Sequence, residues 1–92
     1  MTIAADIYRR CMTDQEGKPL EIIYRSLEGM VCIEGERVQT YGIEIETDTG
    51  DRCAVEDITP NRERALALLE LAYRMEVTPT TLQDIVQDYI EN

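Results

Sequence analysis

The sequence contains no histidine, phenylalanine or tryptophan, and lysine occurs only once, as Lys18. Without histidine, a serine or cysteine nucleophile would lack its usual general base, and a zinc site would lack one of its common ligands. Five tyrosines are the whole aromatic content, so the core must be built mainly from leucine, isoleucine and valine. We therefore expect a small aliphatic globule that is not an enzyme.

Positive charge is also scarce. Nine basic residues face nineteen acidic ones, which gives a net charge of −10. The phosphates of nucleic acids and of anionic membranes would repel such a chain, so we expect it to bind neither directly. The chain opens with no signal segment, and no apolar run approaches the roughly 20 residues that span a bilayer. We expect a cytoplasmic protein whose partner is another protein or a second copy of itself.

The three cysteines, Cys11, Cys32 and Cys53, are odd in number and form no CxxC pair. This pattern argues against both a metal site and a disulfide framework. We expect three free thiols, each a small and partly buried strand residue in a reducing cytosol. The acidic run 44–51 lacks the ligand spacing of an EF-hand loop, so we expect no metal and no cofactor.

The chain is short enough to form one domain, residues 1–92, in which a β-meander (1–58) precedes a pair of helices (59–92). Alternating patterns predict strands at 3–12, 20–33, 38–47 and 52–58. Short turns join them, so they should pair antiparallel. Gly29 interrupts the second pattern, either as a bulge in one long strand or as a break between two, and we favour the bulge. The predicted class is α+β, with both helices packed on one face of a four-stranded sheet.

Two strands predict how that sheet is covered. In the first strand both faces carry apolar residues: Ile3, Ala5, Ile7 and Cys11 on one side, and Ala4, Tyr8 and Met12 on the other. A partner subunit would cover the second face. The third strand alternates cleanly, with Tyr41, Ile43 and Ile45 predicted to be buried and Gly42, Glu44 and Glu46 predicted to face water. We interpret Glu44 and Glu46 as a solvated surface and not as a catalytic acid and base.

Both helices are preceded by threonine and proline, Thr59-Pro60 and Thr78-Pro79. Threonine is a favoured N-cap and proline is favoured at the first helical position. We therefore expect the first helix at 60–75, a cap at Thr78 for the second helix, and a cost of about 1 kcal/mol for Thr78→Ala. Val77 and Leu82 have the spacing of a hydrophobic staple.

The two helices differ in their polar faces. The first is apolar over an arc that a sheet and one helix cannot cover, which predicts a homodimer or larger oligomer. The second is amphipathic and turns the acidic stripe Asp84, Asp88 and Glu91 outward. We take that stripe as the candidate interaction face, because a basic partner would be attracted to it.

Three segments together resemble a family of small bacterial proteins known only as a domain of unknown function. They are Tyr41-Gly42-Ile43, Val55-Glu56-Asp57-Ile58-Thr59 and Val77-Thr78-Pro79-x-x-Leu82-x-Asp84-x-Val86-x-Asp88. The resemblance runs from about Tyr41 to the C-terminus, and residues 1–40 match only loosely. It implies a bacterial cytosolic protein with a β-meander followed by two helices. It implies no activity and no catalytic residue.

The leading functional hypothesis is a non-catalytic protein-binding or regulatory module that acts through an apolar patch rimmed by carboxylates. The alternative is an acidic decoy that mimics nucleic acid, for which carboxylates clustered at phosphate-like intervals would be the evidence. A small hydrolase comes third, because it would need an acid-rich pocket lined by Tyr41 or Tyr73.

Overall fold

The computed structural model of the chain describes residues 2–91, and of residue 91 the backbone only. The elements, in chain order, are β1 (Ile3–Thr13), β2 (Pro19–Ile33), β3 (Glu36–Thr47), β4 (Arg52–Thr59), α1 (Arg62–Arg74) and α2 (Leu82–Glu91). The strands form one antiparallel sheet in the order β1-β2-β3-β4. The predicted α+β fold, a four-stranded meander followed by two helices, is confirmed.

The core lies between the two helices and the sheet face that they cover, here called the helix face. Fully buried aliphatic side chains from β2, β3 and both helices fill it around the ring of Tyr24. Leu20, Ile22 and Tyr24 alternate inward along β2, and Cys53 and Val55 of β4 pack against the same cluster. The alternation in β2 to β4 therefore predicts correctly which side chains meet the helices.

Strand β2 is continuous through Gly29, so the expected bulge is wrong and so is the alternative of a break. Its pairing with β3 runs without a shift from Ile22↔Thr47 to Ile33↔Glu36. The interruption in the sequence pattern has another cause. Tyr24 is buried on the helix face, whereas Leu27 is buried on the opposite face, so the apolar positions change sides just before Gly29.

A bulge lies instead in β1, where the pairing with β2 shifts between Asp6 and Tyr8. The extra residue, Ile7, inverts the alternation on one side of it. As a result Ile3 shares the helix face with Tyr8 and Met12, and the predicted assignment of Ile3, Ala5, Ile7 and Cys11 to one face is wrong. Ile3 and Ile7 are exposed.

A second irregularity, in β4, explains Gly42. Ile43 pairs with Val55 but Tyr41 pairs with Thr59, so three residues of β4 oppose Gly42 alone. Asp57, in the middle of this bulge, has a φ of 55°. A Cβ at residue 42 would lie 2.2 Å from the carbonyl oxygen of Val55. Only glycine lets the β4 backbone lie this close to β3.

Both helices begin later than predicted. Thr59 ends β4, and its Oγ1 accepts from the N–H of Asn61 at 3.1 Å. Asn61 is the N-cap of α1, since its Oδ1 accepts from the N–H of Arg64 at 3.1 Å. Asparagine is as good a cap as threonine, and the strand pairing of Thr59 decides between them.

Helix α2 begins at Leu82 and not next to Thr78. The carbonyl of Thr78 accepts from the N–H of Thr81 at 3.1 Å, and the carbonyl of Thr81 then accepts from the N–H of Ile85 at 3.3 Å. The N-cap predicted at Thr78 is therefore wrong, because a turn separates Pro79 from the helix. Val77 and Leu82 are both buried in the core. Since α2 begins at Leu82, they do not occupy the N′ and N4 positions of the predicted staple.

The sheet face opposite the helices, here called the far face, is not uniformly wet. Gly42 and Glu44 were expected in water, yet both are buried, together with Leu27 and Thr40. The β4 bulge covers Gly42, and two arginines flank Glu44.

The cysteines also depart from expectation, because Cys11 and Cys32 are exposed and only Cys53 is partly buried; all three are free thiols on strands. Between residues 2 and 91, no helix is long and apolar enough to cross a membrane.

Candidate interaction groove between the two helices

An open, mainly apolar groove runs between the C-terminal half of α1 and the outer side of α2. Its volume is about 480 Å³. The lining side chains, here called the helix groove, are Leu68, Leu71, Met75, Ile85, Asp88 and Tyr89. Leu71 is 46% exposed and Met75 is 57% exposed, so the wide apolar arc of α1 is only partly covered by α2.

A cluster of three tyrosines holds the C-terminal end of α1 against the sheet. Tyr73 stacks on Tyr8 of β1 with the ring centroids 4.6 Å apart, and it meets Tyr24 edge to face at 5.6 Å. The buried hydroxyl of Tyr24 donates to the carbonyl oxygen of Val77 at 2.9 Å. This bond holds the loop between the helices against the sheet at Val77. Burial raises the pKa of Tyr24 above its ordinary value of 10.0, while nearby Arg10 opposes that rise.

Arg10 closes this cluster from the sheet edge. Its guanidinium lies 4.4 Å from the ring centroid of Tyr73, the geometry of a cation–π contact. It also donates to the carbonyl oxygen of Tyr73 at 3.0 Å and to Glu76 at 3.2 Å. The contact to a carbonyl at the C-terminus of α1 satisfies one of the groups that a helix end leaves unpaired. Tyr73 therefore joins α1, β1 and β2 through packing contacts.

The structure brings only part of the predicted acidic face to the groove. Asp84 and Asp88 are both exposed on α2, and Asp88 lines the groove. Asp84 lies in the first turn of α2, where the positive end of the helix dipole favours a carboxylate. The side chain of Glu91 lies outside the described residues. The groove therefore has an apolar floor with the carboxylate of Asp88 along one side.

The far face carries a network of ion pairs that crosses all four strands. Arg25 of β2 is at its centre: its Nε donates to Asp6 at 2.6 Å and an Nη donates to Glu46 at 2.7 Å. Arg52 of β4 pairs with the buried Glu44. The hydrogen bonds that Arg25 donates to Glu46 and, to a smaller extent, to Asp6 raise its pKa. The planar guanidinium group of Arg25 reaches carboxylates on both neighbouring strands. The ammonium group of a lysine lacks this fixed, forked geometry.

This network bears on two of the functional hypotheses. Glu44 and Glu46 are neither a free acid–base pair nor the solvated surface that we predicted, because arginines bind both. A nucleic-acid mimic needs an array of uncompensated negative charge. On the far face carboxylates alternate with guanidinium groups, so this surface offers no such array.

The acidic stripe and the wide arc of α1 could be identified from the sequence, but the groove as a site and the tyrosine cluster between α1 and the sheet could not. The stacking of Tyr8 on Tyr73 depends on the bulge at Ile7. No local sequence pattern predicts that bulge. Arg10 could have been noticed as a charged residue between the inward-facing Tyr8 and Met12. An arginine at an inward-facing strand position, two residues after a tyrosine, is the signal in the sequence that points to this cluster.

Comparison with known families agrees with the resemblance seen in the sequence. A family model matches residues 5–92, and its description is a family of unknown function, DUF6514. The chain belongs to this family. The match extends well beyond the part from Tyr41 onward that the three motifs identified, so β1 and β2 are also family features. No curated protein and no solved structure shows significant similarity to the chain.

Proposed function

We propose that this DUF6514 member is a non-catalytic protein-binding module whose helix groove takes an amphipathic helix with a basic flank. The observation that carries the proposal is the exposure of Leu71 and Met75 in a groove with a carboxylate at its edge. We place the interaction in the cytoplasm of a bacterium, where the three thiols would stay reduced.

The shape of the groove supports a helical ligand. Two roughly adjacent helices leave a furrow between them, and an amphipathic helix can lay its apolar stripe into such a furrow. Methionine suits this role because its flexible, polarisable side chain adapts to different partner surfaces. The loop that joins the two helices is held to the sheet by the bond from Tyr24 to Val77.

Charge supports a basic flank on that ligand. Asp88 lines the groove and Asp84 lies one turn earlier on the same helix. The net charge of −10 would attract a cationic segment from a distance and repel an acidic one. Apolar contacts would then supply affinity, while the carboxylates would supply orientation and selectivity.

A direct test uses synthetic helical peptides as probes. One peptide carries a leucine stripe with lysines on its flank, a second carries glutamates in place of the lysines, and a third keeps the composition but scrambles the stripe. We expect the first to bind and to shift the NMR methyl signals of Leu71 and Met75. The glutamate peptide should bind at least about tenfold more weakly, which corresponds to roughly 1.4 kcal/mol.

Variants of the protein locate the binding. Leu71→Glu should abolish binding of the lysine peptide, and Asp84→Lys combined with Asp88→Lys should reverse the preference between the two flanks. Ile90→Ser is the matched control, because Ile90 is a 59% exposed apolar residue of α2 that lies outside the groove. Binding that persists in Leu71→Glu, or that is lost equally in Ile90→Ser, contradicts the proposal.

A further inference from the structure

The far ends of β2 and β3 form a two-stranded arm, here defined as residues 29–40. The pairing of β1 with β2 ends at Ile3↔Glu28, and the pairing of β4 with β3 ends at Tyr41↔Thr59. Beyond these points the described strands of the arm pair with one another, from Gly29↔Thr40 to Ile33↔Glu36. The molecule is accordingly elongated, 51 × 28 × 18 Å.

Both faces of the arm carry apolar side chains. The register places Met30 and Cys32 on the same side as the helices, and Val31 and Ile33 on the opposite side. Met30 and Ile33 are each 55% exposed and Cys32 is exposed. So many exposed apolar residues in a short ribbon are unusual for a surface that contacts only solvent.

The arm also lacks three of the features that commonly keep a strand edge from pairing, namely lysine, proline and a bulge. An isolated two-stranded ribbon is at best marginally stable in water, and its outer edges expose unpaired N–H and C=O groups. Lysine, proline and bulges commonly protect such edges. The arm contains no lysine and no proline, and its register is regular. The bulge that blunts β1, in contrast, lies in the body of the sheet.

Charge indicates that a second copy of the chain can cover the arm. Two molecules of net charge −10 repel each other over most of their surfaces. The arm carries only Glu34, Glu36 and Arg37, so repulsion is weak there. Arg37 faces the same side as Met30 and Cys32, whereas Glu36 faces the side of Ile33. Around a two-fold axis, Arg37 of each copy would meet Glu34 at the turn of the other.

We propose that the arm is a self-association surface, and that two copies pack their arms together through the face that carries Met30, Cys32 and Arg37. Each copy covers the apolar face of the other, and the pairing is isologous, as in most homodimers. This surface is separate from the helix groove, so the inference does not rest on the proposed function.

Sedimentation of two glutamate variants tests which face is used. Met30 and Ile33 are equally exposed but lie on opposite faces of the arm, so each is the matched control of the other. We expect the wild type to dimerise reversibly above the monomer mass of 10.6 kDa, Met30→Glu to be monomeric, and Ile33→Glu to dimerise like the wild type. A wild type that stays monomeric at all concentrations overturns the proposal, as does a dimer that Met30→Glu leaves intact.

Cross-linking supplies a second readout that does not depend on a destabilising substitution. In a chain that keeps only Cys32, a short bis-maleimide should link two copies, because both Cys32 thiols lie in the interface. The control chain keeps only Cys11, which is also exposed but lies on β1, away from the arm. Equal cross-linking of the two chains, or none in the Cys32 chain, contradicts arm pairing. Arg37→Glu should dissociate the dimer if Met30→Glu does not fold.

Discussion

The two faces of the sheet are buried by different means. On the helix face, Ile22, Ile43 and Ile45 lie under two helices, and apolar packing accounts for their burial. On the far face no helix covers the strands, yet Leu27, Gly42 and Glu44 are also buried. There the cover comes from the sheet itself, through the bulge of β4 and the side chains of Arg25 and Arg52.

Because the two faces are buried by different means, we expect them to respond differently to substitution. An apolar layer can relax around a change in volume, whereas a backbone bulge that lies on a glycine cannot. An ion-pair network tolerates changes of shape but not the loss of one sign of charge. Four predictions test this comparison, in order of decreasing effect: two concern the far face, one concerns the helix face and one concerns the starts of the two helices.

Gly42→Ala should destabilise the protein by more than about 2 kcal/mol, because its Cβ would lie 2.2 Å from the Val55 carbonyl oxygen and 2.9 Å from the Glu56 Cα. Both contacts are backbone, so neither neighbour can turn away. Gly29→Ala is the control, since its Cβ would meet Thr2 Oγ1 at an ordinary 3.7 Å. Urea denaturation should show the two variants far apart. Equal midpoints would mean that the β4 bulge does not lie on Gly42.

Arg25→Met should cost about 1–2 kcal/mol, less than a fully buried pair because Asp6 and Glu46 are partly exposed and therefore screened. Removal of the guanidinium leaves carboxylates on both neighbouring strands without their shared partner. Arg9→Met is the control: Arg9 pairs with Glu21 at 2.7 Å, but its side chain is 59% exposed. We expect Arg9→Met to change the free energy of unfolding by less than about 0.5 kcal/mol. Similar losses in the two variants would show that the far face is not organised around Arg25.

Tyr24→Phe should cost about 1 kcal/mol, since the carbonyl of Val77 loses a buried hydrogen bond. The cost should also depend on pH. The folded state raises the pKa of Tyr24 above 10.0, so above that pH the unfolded chain ionises while folded Tyr24 stays neutral. Wild-type stability from this group is complete below about pH 10 and falls as the pH rises further. The gap between wild type and Tyr24→Phe, measured by denaturation on both sides of pH 10, should therefore narrow under alkaline conditions. A constant gap would contradict this account of Tyr24.

Much of the fold could be predicted from the sequence because each strand repeats a two-residue pattern and each turn carries glycine. The bulges could not, because a bulge is decided by what opposes the strand and not by the strand's own residues. The extra residue Ile7 reverses the alternation of side chains between the two faces of β1, and the amino-acid composition around it gives no sign of this reversal. The ion-pair network was equally hidden, since Asp6, Arg25 and Glu46 are far apart in the chain and meet only through the strand register.

The candidate site was predicted in part. The stripe of Asp84 and Asp88 and the broad arc of α1 are periodic features, and Asp88 and Leu71 from these features line the groove. The groove itself depends on where α2 begins, and threonine followed by proline gave the wrong boundary for both helices. Thr59 is held in a strand by Tyr41, and Pro79 is followed by a turn. Local preference for a cap yields to pairing and packing whenever these compete.

The smallest effect concerns these caps and compares the two helix starts. Thr78→Ala should change the free energy of unfolding by less than about 0.5 kcal/mol, because Thr78 contributes its carbonyl to the turn and alanine keeps that carbonyl. Asn61→Ala should cost about 1 kcal/mol, because it removes the side-chain oxygen that accepts from Arg64. Thermal and urea denaturation of both variants would check the difference. A cost near 1 kcal/mol for Thr78→Ala as well would mean that its hydroxyl caps α2 in solution, and that this helix begins at Pro79 and not at Leu82.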